Sequence, residues 1–170
     1  MTTHLRFLRT GGVPGSVLAM LLAATFALPV QAAGVAGSRE VTGPKGGSMA
    51  RQYMRQGDGA GNRSGQRSRS WNRADGGSGA RSAQNSRGAD GSASHSSSVA
   101  ASNARGSVSS SGSASRDADG NLSQSRSTSA TSATTGNSVQ SSTSYSKDSG
   151  WSHSATCYDA GGNTIACPGR

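Results

Sequence analysis

The 170-residue chain carries a formal net charge of +9, and its 31% of hydrophobic residues is largely alanine set among 25 glycines. A chain this poor in large apolar side chains lacks the material for a conventional packed core, and without a rigid scaffold to hold reacting groups it argues against an enzyme. The excess of positive charge points instead to anionic partners.

In chain order, the first feature is an apolar run, Val17 to Leu28, preceded by Arg6 and Arg9 without any acid and followed by Pro29-Val30-Gln31-Ala32. This is the organisation of a secretory signal peptide over residues 1–32, cut after Ala32 or Ala33, and it predicts a signal helix. The run is shorter than the roughly 20 residues of a spanning helix. The expected location is therefore the periplasm, the cell surface or the medium, with no integral membrane segment after processing.

The next segment, 33–87, is rich in glycine and arginine. Between Arg39 and Arg87 ten basic residues stand against Glu40, Asp58 and Asp75, whereas from Gly88 onward the two signs balance at five each. The densest part holds Arg63, Arg67, Arg69 and Arg73 around Trp71. Guanidinium forks suit phosphate and carboxylate groups, and an interleaved aromatic ring can stack on bases or sugars. These five residues are the candidate polyanion site, with lipopolysaccharide, acidic polysaccharide and extracellular DNA as candidate ligands. A solvated basic stretch that only keeps the chain soluble is the alternative.

Residues 88–149 are neutral and rich in serine, glycine and threonine, and they continue a periodicity that starts earlier. Gly46, Gly61, Gly76, Gly91, Gly106, Gly120, Gly136, Gly150 and Gly162 follow one another at spacings of 15, 15, 15, 15, 14, 16, 14 and 12. The tripeptide Ala-Asp-Gly recurs at Gly76, Gly91 and Gly120, and Gly-Asn recurs at Gly61, Gly120, Gly136 and Gly162. Both are turn signals, so the repeat is a repeat of turns. Between turns the residues alternate, which would set Ser123, Ser125, Ser127 and Ser129 on one face of a strand. One aliphatic residue per repeat gives roughly 1.5–3 kcal/mol on burial, against about 1–2 kcal/mol to order each backbone residue. On that comparison the fold class expected is a mostly disordered, low-complexity repeat chain.

The last segment, 150–170, contains the only cysteines, Cys157 and Cys167, on either side of a glycine-rich turn. In an exported chain an even count favours a disulfide, here one that closes a small β-hairpin. An intermolecular bridge or a metal site is the alternative pairing, with His153 the nearest additional ligand. No metal or cofactor is expected: Asp117-Ala-Asp119-Gly120-Asn121 opens like a calcium loop, but Thr128 stands where a bidentate glutamate is required.

Two short stretches carry a resemblance. Thr42-Gly43-Pro44-Lys45-Gly46-Gly47 resembles the Thr-Gly-Pro-x-Gly-Gly units of secreted low-complexity proteobacterial proteins, a group whose resemblance brings no activity with it. Tyr158-Asp159-Ala160-Gly161-Gly162 is similar to the Tyr-Asp-x-x-Gly unit of YD-repeat shell proteins, although the aromatic and arginine positions of that pattern are absent. The sequence thus predicts an exported, non-enzymatic structural or surface/matrix-associated repeat protein that is multivalent, with self-assembly as a functional amyloid one option within that class. The alternative is an extracytoplasmic polyanion-binding module acting through residues 39–87. A polar solenoid binding ice or sugar through hydroxyl rows fits less well.

Overall fold

The computed structural model describes residues 33–167, and the expected signal helix lies outside them. Over the described residues the chain is ten antiparallel strands: β1 (Ala33–Thr42), β2 (Ser48–Gly57), β3 (Arg63–Asn72), β4 (Ser78–Arg87), β5 (Ala93–Asn103), β6 (Gly106–Arg116), β7 (Leu122–Ser132), β8 (Ser138–Ser146), β9 (Gly150–Tyr158) and β10 (Thr164–Ile165). Each strand pairs with its neighbours in sequence, so one sheet runs from β1 to β10 without a crossover. This overturns the expectation of a mostly disordered chain, including a disordered segment 33–87. The comparison of one hydrophobe with the backbone entropy left out what neighbouring repeats supply to each other. Ten opposed residue pairs join β2 to β3, and ten join β3 to β4. Such cross-strand pairs contribute roughly 0.2–1 kcal/mol each when well matched, and short turns keep the entropy of closing every hairpin low.

The turns explain the glycine period. All nine aligned glycines have positive φ, with Gly59 a tenth. Five turns share one hydrogen-bond pattern: in the stretch Asp117 to Asn121, the Gly120 amide donates to the Asp117 carbonyl and the Asp117 amide donates to the Asn121 carbonyl. The same pair of bonds closes the turns at Gly46, Gly76, Gly91 and Gly162. This is a type I turn followed by a residue in the left-handed region, the three-residue hairpin loop in which glycine is favoured. Asp58, Asp117 and Asp159 brace their turns by accepting hydrogen bonds from the side chains of Asn62, Asn121 and Asn163. Turns on one end also hold each other: Ala89 donates its amide to the Asn62 side chain, Arg116 reaches the Gly91 carbonyl, and Lys147 reaches Asn121.

Opposed residues of an antiparallel pair point to the same side, so the register sorts the sheet into two faces. One face is mainly small and hydroxylic, interrupted by Met54, Tyr158 and several glutamines. Its central row crosses nine strands as Ser38, Gln52, Ser68, Ser82, Ser98, Ser111, Ser127, Ser142 and Ser154. The rows beside it are also mostly serine from β5 onward, and Ser123, Ser125, Ser127 and Ser129 share this face as the alternation predicts. The opposite face gathers the large side chains. A single apolar row runs along it: Val41, Met49, Trp71, Gly79, Ala101, Val108, Ala130, Val139, Cys157 and Ile165.

The sheet is one layer, and little of it is withdrawn from solvent: Gly77, Ala83, Ser110 and Cys157 are the buried residues among those described. Large residues are accommodated by glycines on the adjacent strand. Trp71 lies over Gly79, and Tyr53 lies over Gly37, leaving no space for a Cβ at either glycine. The Arg126 stem makes ordinary contact beside Gly112, its opposed partner, where the Ser125 carbonyl rather than Arg126 crowds a Cβ. An aromatic ring covering a strand glycine shields exposed backbone and pins the register. At the far end Cys157 and Cys167 form the expected disulfide, with Cα atoms 5.2 Å apart. It ties the segment after β10 back to β9.

Candidate functional site

The arginines converge on the large-residue face. Arg39, Arg51, Arg69 and Arg81 stand directly opposite one another on β1, β2, β3 and β4, forming a straight row perpendicular to the strands. Adjacent strands lie about 4.8 Å apart, so the four guanidinium groups repeat at a spacing that flexible side chains can widen to match a linear anion. Arg67 and Arg55 project from the two neighbouring rows, and Arg63 faces Arg87 near the strand ends. All eight are exposed. No acid accompanies them: the one acidic residue in any strand, Glu40, is on the serine face opposite Ala50, and the aspartates occupy turns.

Like charges directly opposite each other on a sheet are destabilising. A row of four without a counter-charge is a cost that an anion lying along the row removes. The surface has some shape of its own: a shallow hollow of about 590 Å³ is bordered by Arg51, Tyr53, Arg55, Arg67, Arg69 and Arg81, with Ala83 at its floor. Arg69 lies 5.9 Å from the centre of the Trp71 ring, within reach of a cation–π contact. Tyr53, half exposed at 50%, stands opposite Arg67.

Of the residues read from the sequence, Arg63, Arg67, Arg69 and Trp71 share this face of β3, while Arg73 lies just beyond it in the turn that its amide helps close. The structure adds Arg39, Arg51, Arg55, Arg81 and Arg87. Their signal was present in the turn glycines: folding the sequence back at Gly46, Gly61 and Gly76 brings Arg39, Arg51, Arg69 and Arg81 into register. A search confined to one contiguous basic stretch does not perform that reflection.

The same face changes character toward β9. Tyr145 and Trp151 are opposed, with ring centres 5.0 Å apart, and Trp151 is 69% exposed. His153 bonds Thr143 through Nδ1 at 2.9 Å, and Arg126 donates from Nε to the Ser110 hydroxyl at 3.0 Å. A cationic field on β1–β4 and a tilted aromatic pair on β8–β9 thus occupy opposite ends of one surface.

The serine face carries no comparable chemistry. Its hydroxyls bond across strands, as between Ser82 and Ser98 at 2.8 Å, Ser113 and Ser125 at 3.0 Å, and Ser142 and Ser154 at 2.8 Å. Among the described residues no cluster of three or more metal-ligating side chains occurs, and no helix is long and apolar enough to cross a membrane. No family model, curated protein or solved structure matches this chain.

Proposed function

We propose that this is an exported, non-enzymatic protein that binds a linear polyanion along the arginine face of β1–β4. The observation that carries the reading is the unbroken row Arg39, Arg51, Arg69 and Arg81, directly opposed over four strands with no strand acid on the same face. Sulfate, phosphate or uronate groups on a flexible polymer would lie along the row, each meeting a guanidinium fork. Individually weak contacts add through linkage on one chain. Trp71 and Tyr53 offer ring faces within the same field, which suits a saccharide or nucleotide backbone.

The decisive experiment compares two variants of equal net charge for binding to heparin, with neutral dextran as control. One replaces Arg39, Arg51, Arg69 and Arg81 with serine; the other replaces Lys45, Arg105, Arg116 and Lys147. Loss of more than about tenfold in affinity for the first variant and little change for the second is expected if ordered contacts, rather than overall charge, carry binding. Equal losses would reduce the reading to nonspecific attraction.

A structural, assembling role is the second reading, supported by the sheet edges. Among the described residues, the outer edge of β9 beyond Tyr158 and Cys157, which pair with β10, is unpaired, and β1 pairs on one side alone. From Gly150 to Thr156 that β9 edge contains neither proline nor charge, the features by which exposed edges resist pairing with another chain.

A further inference from the structure

We infer that two copies of this chain stack through their serine faces, forming a two-layer sandwich with the arginine faces outward on both sides. This interface stands independently of whether the arginine face binds polyanions.

The starting point is the missing layer. Domains are ordinarily built from at least two packed layers, whereas this sheet is one layer with four buried residues among those described. A second copy can supply the other layer, and charge decides which face it meets. Placing two arginine faces together would oppose eight guanidinium groups of β1–β4 with eight more. The serine face has a single charged strand residue, Glu40, which sits at its corner on the edge strand β1.

The area is sufficient. Nine strands of 9–11 residues, at about 4.8 Å between strands and about 3.4 Å per residue, give on the order of 1,500 Å² per copy. The two copies together would bury about 3,000 Å², within the range of obligate homodimers.

The chemistry of the face also permits it to leave water. Several hydroxyls already have partners inside their own sheet: Ser82 with Ser98, Ser86 with Ser94, Ser115 with Ser123 and Ser142 with Ser154 lie 2.6–2.8 Å apart. Groups satisfied in this way keep their hydrogen bonds on burial. From β5 onward the mostly small side chains let two sheets approach closely, as polar ladders do in stacked sheets, while Met54, Gln66 and Gln84 on β2–β4 supply longer side chains to interdigitate. A hollow of about 850 Å³ crosses this face from β2 to β9. Aligned packing of twisted sheets would bring the partner's side chains into it.

The test is sedimentation equilibrium of the oxidised chain, purified as the cell produces it, together with Ser111→Arg and Val108→Arg. These two positions lie on β6 on opposite faces, Ser111 between Ser98 and Ser127, Val108 between Ala101 and Ala130. A dimer for the unaltered chain and for Val108→Arg, with Ser111→Arg monomeric, is the expected result. Small-angle scattering of the unaltered chain keeps the question answerable if Ser111→Arg fails to fold: a stacked dimer is thicker than one sheet by about 10 Å. A monomer up to the highest soluble concentration, a dimer one layer thick, or equal dissociation by both variants would overturn the proposal.

Discussion

Arg51 and Arg69 occupy directly opposed positions on β2 and β3, and each is flanked in the same row by a further arginine, Arg39 on one side and Arg81 on the other. Nothing in the sheet's own strands compensates this juxtaposition. It sets stability against recognition, because the charges that repel one another in the free protein are the groups an anion would meet.

Replacing Arg51 with serine is therefore expected to stabilise the free sheet. Removing two like-charge oppositions should raise stability by roughly 0.5–1 kcal/mol at low ionic strength, with the gain shrinking as salt screens the row. Urea unfolding at low and high salt measures it. The same substitution should weaken heparin binding.

Gly120 and Gly106 both have positive φ but differ in surroundings. A Cβ at Gly120 meets open space, so Gly120→Ala should cost about 1–2 kcal/mol from backbone conformation alone. At Gly106 a Cβ runs into the backbone carbonyl of Thr131 on the neighbouring strand. Gly106→Ala should therefore cost more than Gly120→Ala in the same unfolding assay and disturb pairing between β6 and β7. Equal costs would show that turn conformation, rather than strand contact, fixes both glycines.

The disulfide closes a short segment, and its influence should be local. Cys167→Ser is expected to release β10 while leaving β1–β8 intact, with a stability loss below about 3 kcal/mol. Hydrogen exchange should show faster exchange at Thr164 and Ile165 and unchanged protection in β4–β7.

Acid should loosen the turns before the strands. Asp58, Asp117 and Asp159 are held below the usual carboxylate value by their asparagine partners first and by backbone amides second, and Asp90 is lowered mainly through Ser92. A carboxylate whose pKa is lower in the folded state adds stability above its ordinary pKa, and loses it as pH falls through the folded value. Unfolding midpoints should hold steady from neutral pH down to the ordinary carboxylate pKa and then decline. Asp117→Ala should remove part of that acid-dependent decline, and an unchanged profile in this variant would contradict the assignment.

What the sequence disclosed and what it concealed divide along the hairpin reflection. Gly46 through Gly162 marked the turns, and alternation set Ser123 through Ser129 on one face, because both signals are local to a few residues. The sheet itself escaped because Val41, Met49, Trp71, Val108 and Val139 lie scattered along the chain and join into one row only after seven reversals, from β1 to β8. Counted one per repeat, they could not offset chain entropy; aligned, they border one another across the sheet. The arginine row was half visible for the same reason. Arg63 to Arg73 are contiguous, whereas Arg39, Arg51 and Arg81 reach the site through register.

The most direct test of the polyanion reading is the salt dependence of heparin affinity for the unaltered chain and for the double variant Arg51→Ser/Arg69→Ser. Counterion release makes log affinity fall linearly with log salt, and each lost ionic contact lowers the slope by about one. A steep slope that becomes shallower by about two in the double variant is the predicted result. A slope near zero for the unaltered chain, or the same slope in both proteins, would contradict the assignment of the arginine row as the binding surface.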